Sequence, residues 1–399
     1  MLLRASLLWF VLGAAPSARA ATSAELAKFL ADAGAKTGIV KPAAGILKYP
    51  YLVPAGPYFQ LFDWDMYFMS VALSYDGVSR PVEDSVRDFL EFVNEAADSP
   101  GYAPREIAAD RPWALPEQCK PFLAQAAARA ALTSGQWEWI RPLYPKLRAT
   151  VGFWEDARRA PDGLFVWYNG VESGTDNSPA VEDVPALTTE GVDLQVYLYR
   201  EYLALARIGR ELKEPDADRL YSKKAEDLKA LMLRKMWSAH DGMFYNLNAR
   251  TGRPIKVKTW TSFTPLWARM VPAEQAQRMI DDHLLSAREF WSAHGVRTLS
   301  ADERAYRPKD GYWRGPVWVV SNYIVMRGLL NYGYNAQARV LAQETVDLLV
   351  DDFKKSGGMN ECYDPDTGAP TAGGHFVSWN LLAEHMRLEA QTGADPTGF

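Results

Sequence analysis

The sequence predicts an all-α fold and, within that class, a closed (α/α)6 toroid built from helical hairpins. Three observations predict it. Apolar residues recur at spacings of three and four in ten separate segments. Strand-like alternation is scarce. No fixed-period repeat, Ser/Gly linker, low-complexity tract or charge block divides the chain. Twelve helices over the residues beyond Ala20 would leave roughly 32 residues for each helix with its loop, which suits helices of ordinary length and long connections. In such a ring the loops at one end form a concave mouth.

Residues 1–20 read as an address rather than as part of the fold. Arg4 gives a positive start, residues 7–15 form a short apolar stretch, and Ala18-Arg19-Ala20 is a small-x-small cleavage site. The apolar stretch is too short to span a bilayer comfortably. The mature chain is expected to begin at Ala21, to be periplasmic or secreted, and to associate with no membrane after cleavage. Residues 21–399 are expected to form a single catalytic domain. Its first helix starts at Ser23, read as the cap, and carries Leu26, Phe29, Leu30 and Ala33 on one face. Helices follow over 82–96, 122–132, 144–157, 191–212, 218–237, 273–285, 321–332, 335–353 and 376–388. The best strand candidate is 163–168. Segments 41–60 and 104–116, rich in Pro, Gly and Trp, read as loops.

Composition narrows the function. Hydrophobic residues make up 48% and charged residues 23% of 399, so the chain can bury a core and is not disordered. Lys+Arg number 44 against Asp+Glu 49, a balance that argues against nucleic acid as partner. Two cysteines make neither a disulfide scaffold nor a cysteine zinc site, and whether Cys119 and Cys362 pair is open. Five scattered histidines show no metal-ligand spacing, so no metal is expected. No serine-nucleophile elbow, P-loop or zinc-protease helix motif is present, and no cofactor is expected. The 14 Trp and 19 Tyr suit core packing, and their flat faces also suit sugar rings.

Four segments concentrate the chemistry. In Phe62-Asp63-Trp64-Asp65, two carboxylates flank a tryptophan just before a helical run. Asp63 reads equally well as a helix cap; Asp65 could accept hydrogen bonds from sugar hydroxyls. Glu172-Ser173-Gly174-Thr175-Asp176-Asn177-Ser178-Pro179 is a polar turn with two carboxyls. Tyr312-Trp313-Arg314-Gly315-Pro316-Val317-Trp318 surrounds an arginine with aromatics. Glu361-Cys362-Tyr363-Asp364-Pro365-Asp366-Thr367-Gly368 puts a glutamate in a short extended stretch before a clear turn. Together they suggest two carboxyls acting from opposite sides of a sugar, the arrangement glycoside cleavage commonly needs.

These four segments, in this order, resemble the (α/α)6 glycosidases of glycoside hydrolase family 63, in particular the compact bacterial mannosylglycerate hydrolase-like members, and more distantly the family 37 trehalases. The resemblance covers nearly all of the chain beyond Ala20. It implies that Asp176 is the general acid and Glu361 the general base of an inverting reaction. It implies that Trp64, Asp65, Tyr312, Trp313 and Trp318 line the subsite of the cleaved sugar, and Gln118, Glu172, Arg314 and Trp379 are expected to join them in substrate binding. Three departures stand out: Ala180 where relatives often carry Arg, Gln118-Cys119-Lys120-Pro121 in place of a Gln-Pro-Pro stretch, and Cys362 where Asn often follows the base. Lys120 at the mouth would favour an anionic leaving group.

The expected activity is that of an exo-acting α-glycosidase, α-glucosidase in type, on a small carbohydrate. Asp176 would hold a proton through a raised pKa while Glu361 stays ionised and activates water. Two other readings compete. A polysaccharide lyase or sugar epimerase on the same toroid would use His375 or Tyr363 as base. A periplasmic sugar-binding protein would keep the pocket without turnover. Oligomeric state is open.

Overall fold

The computed structural model describes residues 21–94, 98–112 and 116–396; the expected secretory signal lies outside the described residues. Helices buried on every side form an inner ring, and helices with one apolar stripe surround it. Residues 63–73 of the helix Asp63–Ser74 are all buried, as are residues 319–329 of Val319–Asn331. Such helices can be apolar all round because every face meets protein. Among the described residues the inner set runs Asp63–Ser74, Leu123–Ser134, Val192–Glu211, Thr264–Trp267, Val319–Asn331 and Ser378–Leu382. Each packs on the next, and the last packs back on the first, which closes the ring.

The outer helices include Ser23–Asp32, Arg80–Glu91, Tyr144–Ala157, Ala217–Lys235 and Asn335–Ser356. In Ala217–Lys235 the buried residues are Ala217, Tyr221, Ala225, Leu228 and Met232, a single stripe at helical spacing. That stripe packs on the inner helix Val192–Glu211. The all-α toroid expected from the sequence is therefore the observed architecture.

Several boundaries differ. Thr22, not Ser23, caps the first helix: its hydroxyl accepts from the Glu25 amide at 3.0 Å. The segment 163–168 forms no strand; Phe165 and Trp167 make only isolated bridges, to Arg159 and Thr189. The segment 273–285 divides into Ala273–Arg278 and a wider π turn, Met279–Leu284. The last segment opens as the 3-10 turn Ser378–Leu382 before Ala383–Thr392. Cys119 and Cys362 are both buried and unpaired with each other. No described helix is long and apolar enough to cross a membrane.

Two short antiparallel pairings shape the mouth. Leu61–Phe62 pairs with Glu106–Ile107, which sets Phe62 opposite Glu106. Asn360–Tyr363 pairs with Pro370–Gly374 and carries Glu361. Three inner elements start at the same place: Trp64 and Asp65 lie in the first turn of Asp63–Ser74, Trp318 caps Val319–Asn331, and Trp379 lies in Ser378–Leu382. Ring closure thus gathers residues far apart in sequence at one end.

Candidate active site

A cavity of about 700 Å³, counted with its open mouth, sits where those elements meet. Its inner end is aromatic. Trp64, Trp313, Trp318 and Trp379 all line it and all are buried. Trp313 and Trp318 stack with centroids 3.8 Å apart and planes 10° apart, and Trp260 stacks behind Trp313 at 6.0 Å. Trp64 meets Trp379 edge-on at 5.2 Å. The Trp318 indole N–H donates to the Tyr312 carbonyl at 3.0 Å, which fixes the ring. The outer end is more open and carries Tyr58, Gln60, Phe62 and Arg105.

Glu361 projects from its extended stretch into this cavity. Tyr58 Oη donates to both carboxylate oxygens, at 3.0 and 3.1 Å, and Tyr312 Oη donates to Oε1 at 2.9 Å. Tyr312 adopts φ +56°, an uncommon left-handed conformation for a bulky residue. Gly373, at φ +64°, backs the glutamate so closely that a Cβ there would lie 2.5 Å from Glu361 Cβ. Burial pushes the Glu361 carboxyl up to about 7 against the pull of its two tyrosine donors, and the Asp176 charge adds to the rise. An ionised Glu361, expected from the sequence, is therefore its majority state only above that pH.

Asp176 lines the same cavity from the turn that follows the short helix Gly170–Ser173. Burial raises its pKa, opposed by the charges of Arg105 and Lys120. The next residue, Asn177, clips this turn to the tyrosine–tryptophan loop. Its amide donates to the Gly311 carbonyl at 2.8 Å, its side-chain oxygen accepts from the Trp313 amide at 3.0 Å, and its carbonyl accepts from Arg314 Nε at 2.7 Å. One segment therefore connects the acid turn to Tyr312, which touches Glu361. Asp65 also faces the cavity; Ser378 Oγ donates to it at 2.6 Å, and burial raises its pKa to about 7.

The structure gathers Trp64, Asp65, Asp176, Tyr312, Trp313, Trp318, Glu361 and Trp379 around one cavity and places four other residues elsewhere. Glu172 is fully buried, accepts from the Gln118 amide at 2.8 Å and pairs with Arg158 at 3.3 Å. Gln118 is fully buried as well, and its side-chain oxygen accepts from the Ala103 amide at 2.8 Å. Arg314 turns to the Asn177 carbonyl and to Asp183 at 3.4 Å. These three brace the loops around the cavity and do not line it. Lys120 is buried beneath Trp64, 3.3 Å from Asp63, so the expectation that it faces the mouth is corrected. Asp63 opens its helix as an ion-pair partner rather than as its cap.

Tyr58, Gln60, Phe62, Arg105, Glu106 and Phe376 also line the cavity and were not singled out. Tyr58, Gln60 and Phe62 lie in the first dense segment, which runs back to Tyr58, and were given no role there; Arg105 and Glu106 reach the site only through a strand pairing with no sequence signal. The two residues proposed as lyase bases lie outside. Tyr363 Oη is bound to Asp352 at 2.8 Å, and His375 borders a separate glycine-lined cavity. Among the described residues no group of His, Cys, Asp and Glu is arranged to hold a metal.

A closed helical ring with a tryptophan-walled cavity and several facing-in carboxyls, Asp176 and Glu361 among them, defines a carbohydrate-active toroid. The chain belongs to the family described as the mannosylglycerate hydrolase MGH1-like glycoside hydrolase domain, whose model matches residues 58–379. It is 25% identical over 414 aligned residues to the mannosylglycerate hydrolase MGH1 of Selaginella moellendorffii, covering 82% of this chain and 80% of that one. It is 23% identical to the cytosolic neutral trehalase of Kluyveromyces lactis over 80% of this chain, and spans 51% of that longer protein. Among solved structures it is similar to the family 63 mannosylglycerate hydrolase of Thermus thermophilus in complex with glucose. The TM-score is 0.69 at 21% identity, over 88% of this chain and 98% of that one.

Proposed function

We propose that the chain is an inverting, exo-acting α-glycosidase, α-glucosidase in type, that cleaves a small α-linked glycoside. One observation carries the reading: Asp176 and Glu361 line the same cavity, whose inner end is closed by four tryptophans. A closed end of this kind suits one terminal sugar, which is the exo mode. Family membership supports glycoside hydrolysis, and the relatives' printed activities span a disaccharide and a glyceric-acid glycoside.

In this reading Trp64, Trp313 and Trp318 flank the sugar ring while Asp65 accepts from its hydroxyls. Asp176, whose pKa burial raises, gives a proton to the leaving oxygen. Glu361, ionised and oriented by Tyr58 and Tyr312, takes a proton from water attacking the opposite face of the anomeric carbon. The test is a panel of α-linked glucosides and mannosides, including trehalose and mannosylglycerate, assayed for released sugar. Turnover of at least one member, abolished in both Asp176→Asn and Glu361→Gln, is expected. Turnover that survives either substitution would contradict the assignment.

A further inference from the structure

Ala21, the residue that follows the expected cleavage site, is held by a built receptor. It is buried, and its backbone nitrogen lies 2.7 Å from Asp347 Oδ1. Its carbonyl accepts from Gln343 Nε2 at 2.9 Å and from Arg387 at 3.0 Å, while Gln343 also donates to Asp347 at 2.9 Å. One turn before Asp347 on the helix Asn335–Ser356 stands Glu344. Its Oε2 is buried without a hydrogen-bond partner among the described residues. Burial, with the Asp347 charge added, raises its pKa to about 8. A peptide N–H offers Asp347 one neutral donor. A free α-ammonium offers three donors and a positive charge.

We propose that this pocket is the binding site for the chain's own processed N-terminus, an α-ammonium on Ala21 paired with Asp347, with the Glu344 carboxyl one turn away on the same helix. A leader peptidase would hydrolyse the Ala20–Ala21 bond. Water supplies the hydroxyl of the Ala20 carboxyl and a hydrogen to the Ala21 nitrogen, which takes up a further proton. Cleavage would then strengthen the tie that Ala21 makes to the last two helices, and the matured form would be more stable than any form extended at this end.

The test begins with the full chain, residues 1–399, produced in an exporting bacterial host; intact mass is expected to show a start at Ala21. The Ala21 form, an N-acetylated Ala21 form and a form extended by two residues are then melted, each with and without Asp347→Asn. The free amine is expected to raise Tm by about 2–4 °C over both blocked forms, and Asp347→Asn to abolish that difference. A different start, equal Tm values, or an Asp347→Asn effect of the same size in free and blocked forms would overturn the proposal.

A second inference rests on the glycosidase reading and concerns the leaving group. Four carboxyls line the cavity, Asp65, Glu106, Asp176 and Glu361, against Arg105 as the one Lys or Arg among the described lining residues. Arg105 pairs with Glu106 at 2.8 Å and lies 5.7 Å from the centre of the Phe62 ring. Lys120 and Arg314 are turned to Asp63 and Asn177, as described. We infer that Glu106 determines specificity by engaging Arg105, so that the outer subsite takes a neutral polyhydroxyl leaving group in preference to an anionic one. The glycerol and glycerate glycosides of one sugar differ mainly in that charge.

The wild-type protein is expected to favour the glycerol glycoside by about tenfold in kcat/KM. Glu106→Gln is expected to raise the relative rate on the glycerate glycoside by a similar factor, and Arg105→Ala combined with it to cancel the gain. Binding of both ligands to Asp176→Asn by calorimetry reads the same preference without turnover. Wild-type preference for the glycerate glycoside, or a ratio unmoved by Glu106→Gln, would overturn this inference and leave the glycosidase reading intact. Absence of turnover with neutral-ligand preference retained in binding would remove that reading and not this one.

Discussion

Two buried glutamates in this molecule have nearly the same hydrogen-bond donors and different surroundings. Glu361 accepts from Tyr58 and Tyr312; Glu389 accepts from Tyr75 at 2.8 Å and Tyr323 at 3.3 Å. Burial raises both carboxyls, and tyrosine donors pull both back. The difference is the third neighbour. Glu389 pairs with Arg327 at 3.1 Å, both side chains 1% exposed, and the cluster ties the last helix to Val319–Asn331. Glu361 has no paired cation among the described residues and opens onto a cavity. An ion pair fixes one charge as structure. A carboxyl held by neutral donors, with space in front of it, stays free to exchange protons.

Exchanging each for glutamine should separate the two roles. Glu361→Gln is expected to cost about 10³-fold or more in kcat while leaving the fold intact. Glu389→Gln is expected to leave the buried Arg327 with Asp395, 3.1 Å away, as its remaining ion-pair partner among the described residues, and to cost about 2 kcal/mol in stability, with kcat of the folded protein nearly unchanged. Steady-state kinetics and denaturant melts on both variants check this. Equal loss of stability in both would erase the contrast.

The stability effect of Glu361 has a definite sign. Its folded carboxyl titrates near 7 against an ordinary 4.5, so the folded state binds this proton more tightly. Its contribution to stability therefore falls as pH rises through that window. Glu361→Gln should be more stable than wild type at pH 8, by ~1–3 kcal/mol, and the gain should vanish near pH 4. Melts at the two pH values measure it.

Asn177→Ala probes the connection between the two walls. It removes the bonds to Gly311 and Trp313 without touching Glu361 or Tyr312 side chains. A fall of about tenfold in kcat is expected, with a displaced acidic limb of the pH profile as Tyr312 loses its hold on the base. An unchanged profile would make Asn177 merely structural. The smallest effect is expected for Tyr58→Phe. The lost donor lets the Glu361 carboxyl rise further, so the acidic limb of kcat/KM moves to higher pH. Tyr75→Phe, its counterpart at Glu389, should leave that limb in place and cost about 1 kcal/mol in stability.

How much of this was legible in the sequence follows from how each part is built. Outer helices declared themselves, because one buried stripe leaves a helical period, as in Ala217–Lys235. The inner helices were legible unevenly: Leu123–Ser134, Val192–Glu211 and Val319–Asn331 were read from their spacing, whereas Asp63–Ser74, buried on all faces, was visible only as a run after Trp64. Trp64, Asp65, Asp176, Tyr312, Trp313, Trp318, Glu361 and Trp379 sit in dense polar-aromatic motifs and reach the cavity as a group. Glu172 and Arg314 share those motifs, and Gln118 comes from the separate stretch before Pro121, but all three point into the packing, and sequence spacing in a loop does not encode direction. Arg105 and Glu106 were hidden for the opposite reason. A two-residue pairing with Leu61–Phe62 brings them in, and such a pairing has no pattern long enough to read.

The central claim is that Glu361 activates water opposite Asp176, and the stereochemistry of the first product tests it most directly. Proton NMR of the protein with an α-linked substrate, followed from the first minutes, reads the anomer before mutarotation. Early β-anomer is the expected result. Early α-anomer would mean retention and would contradict the role given to Glu361.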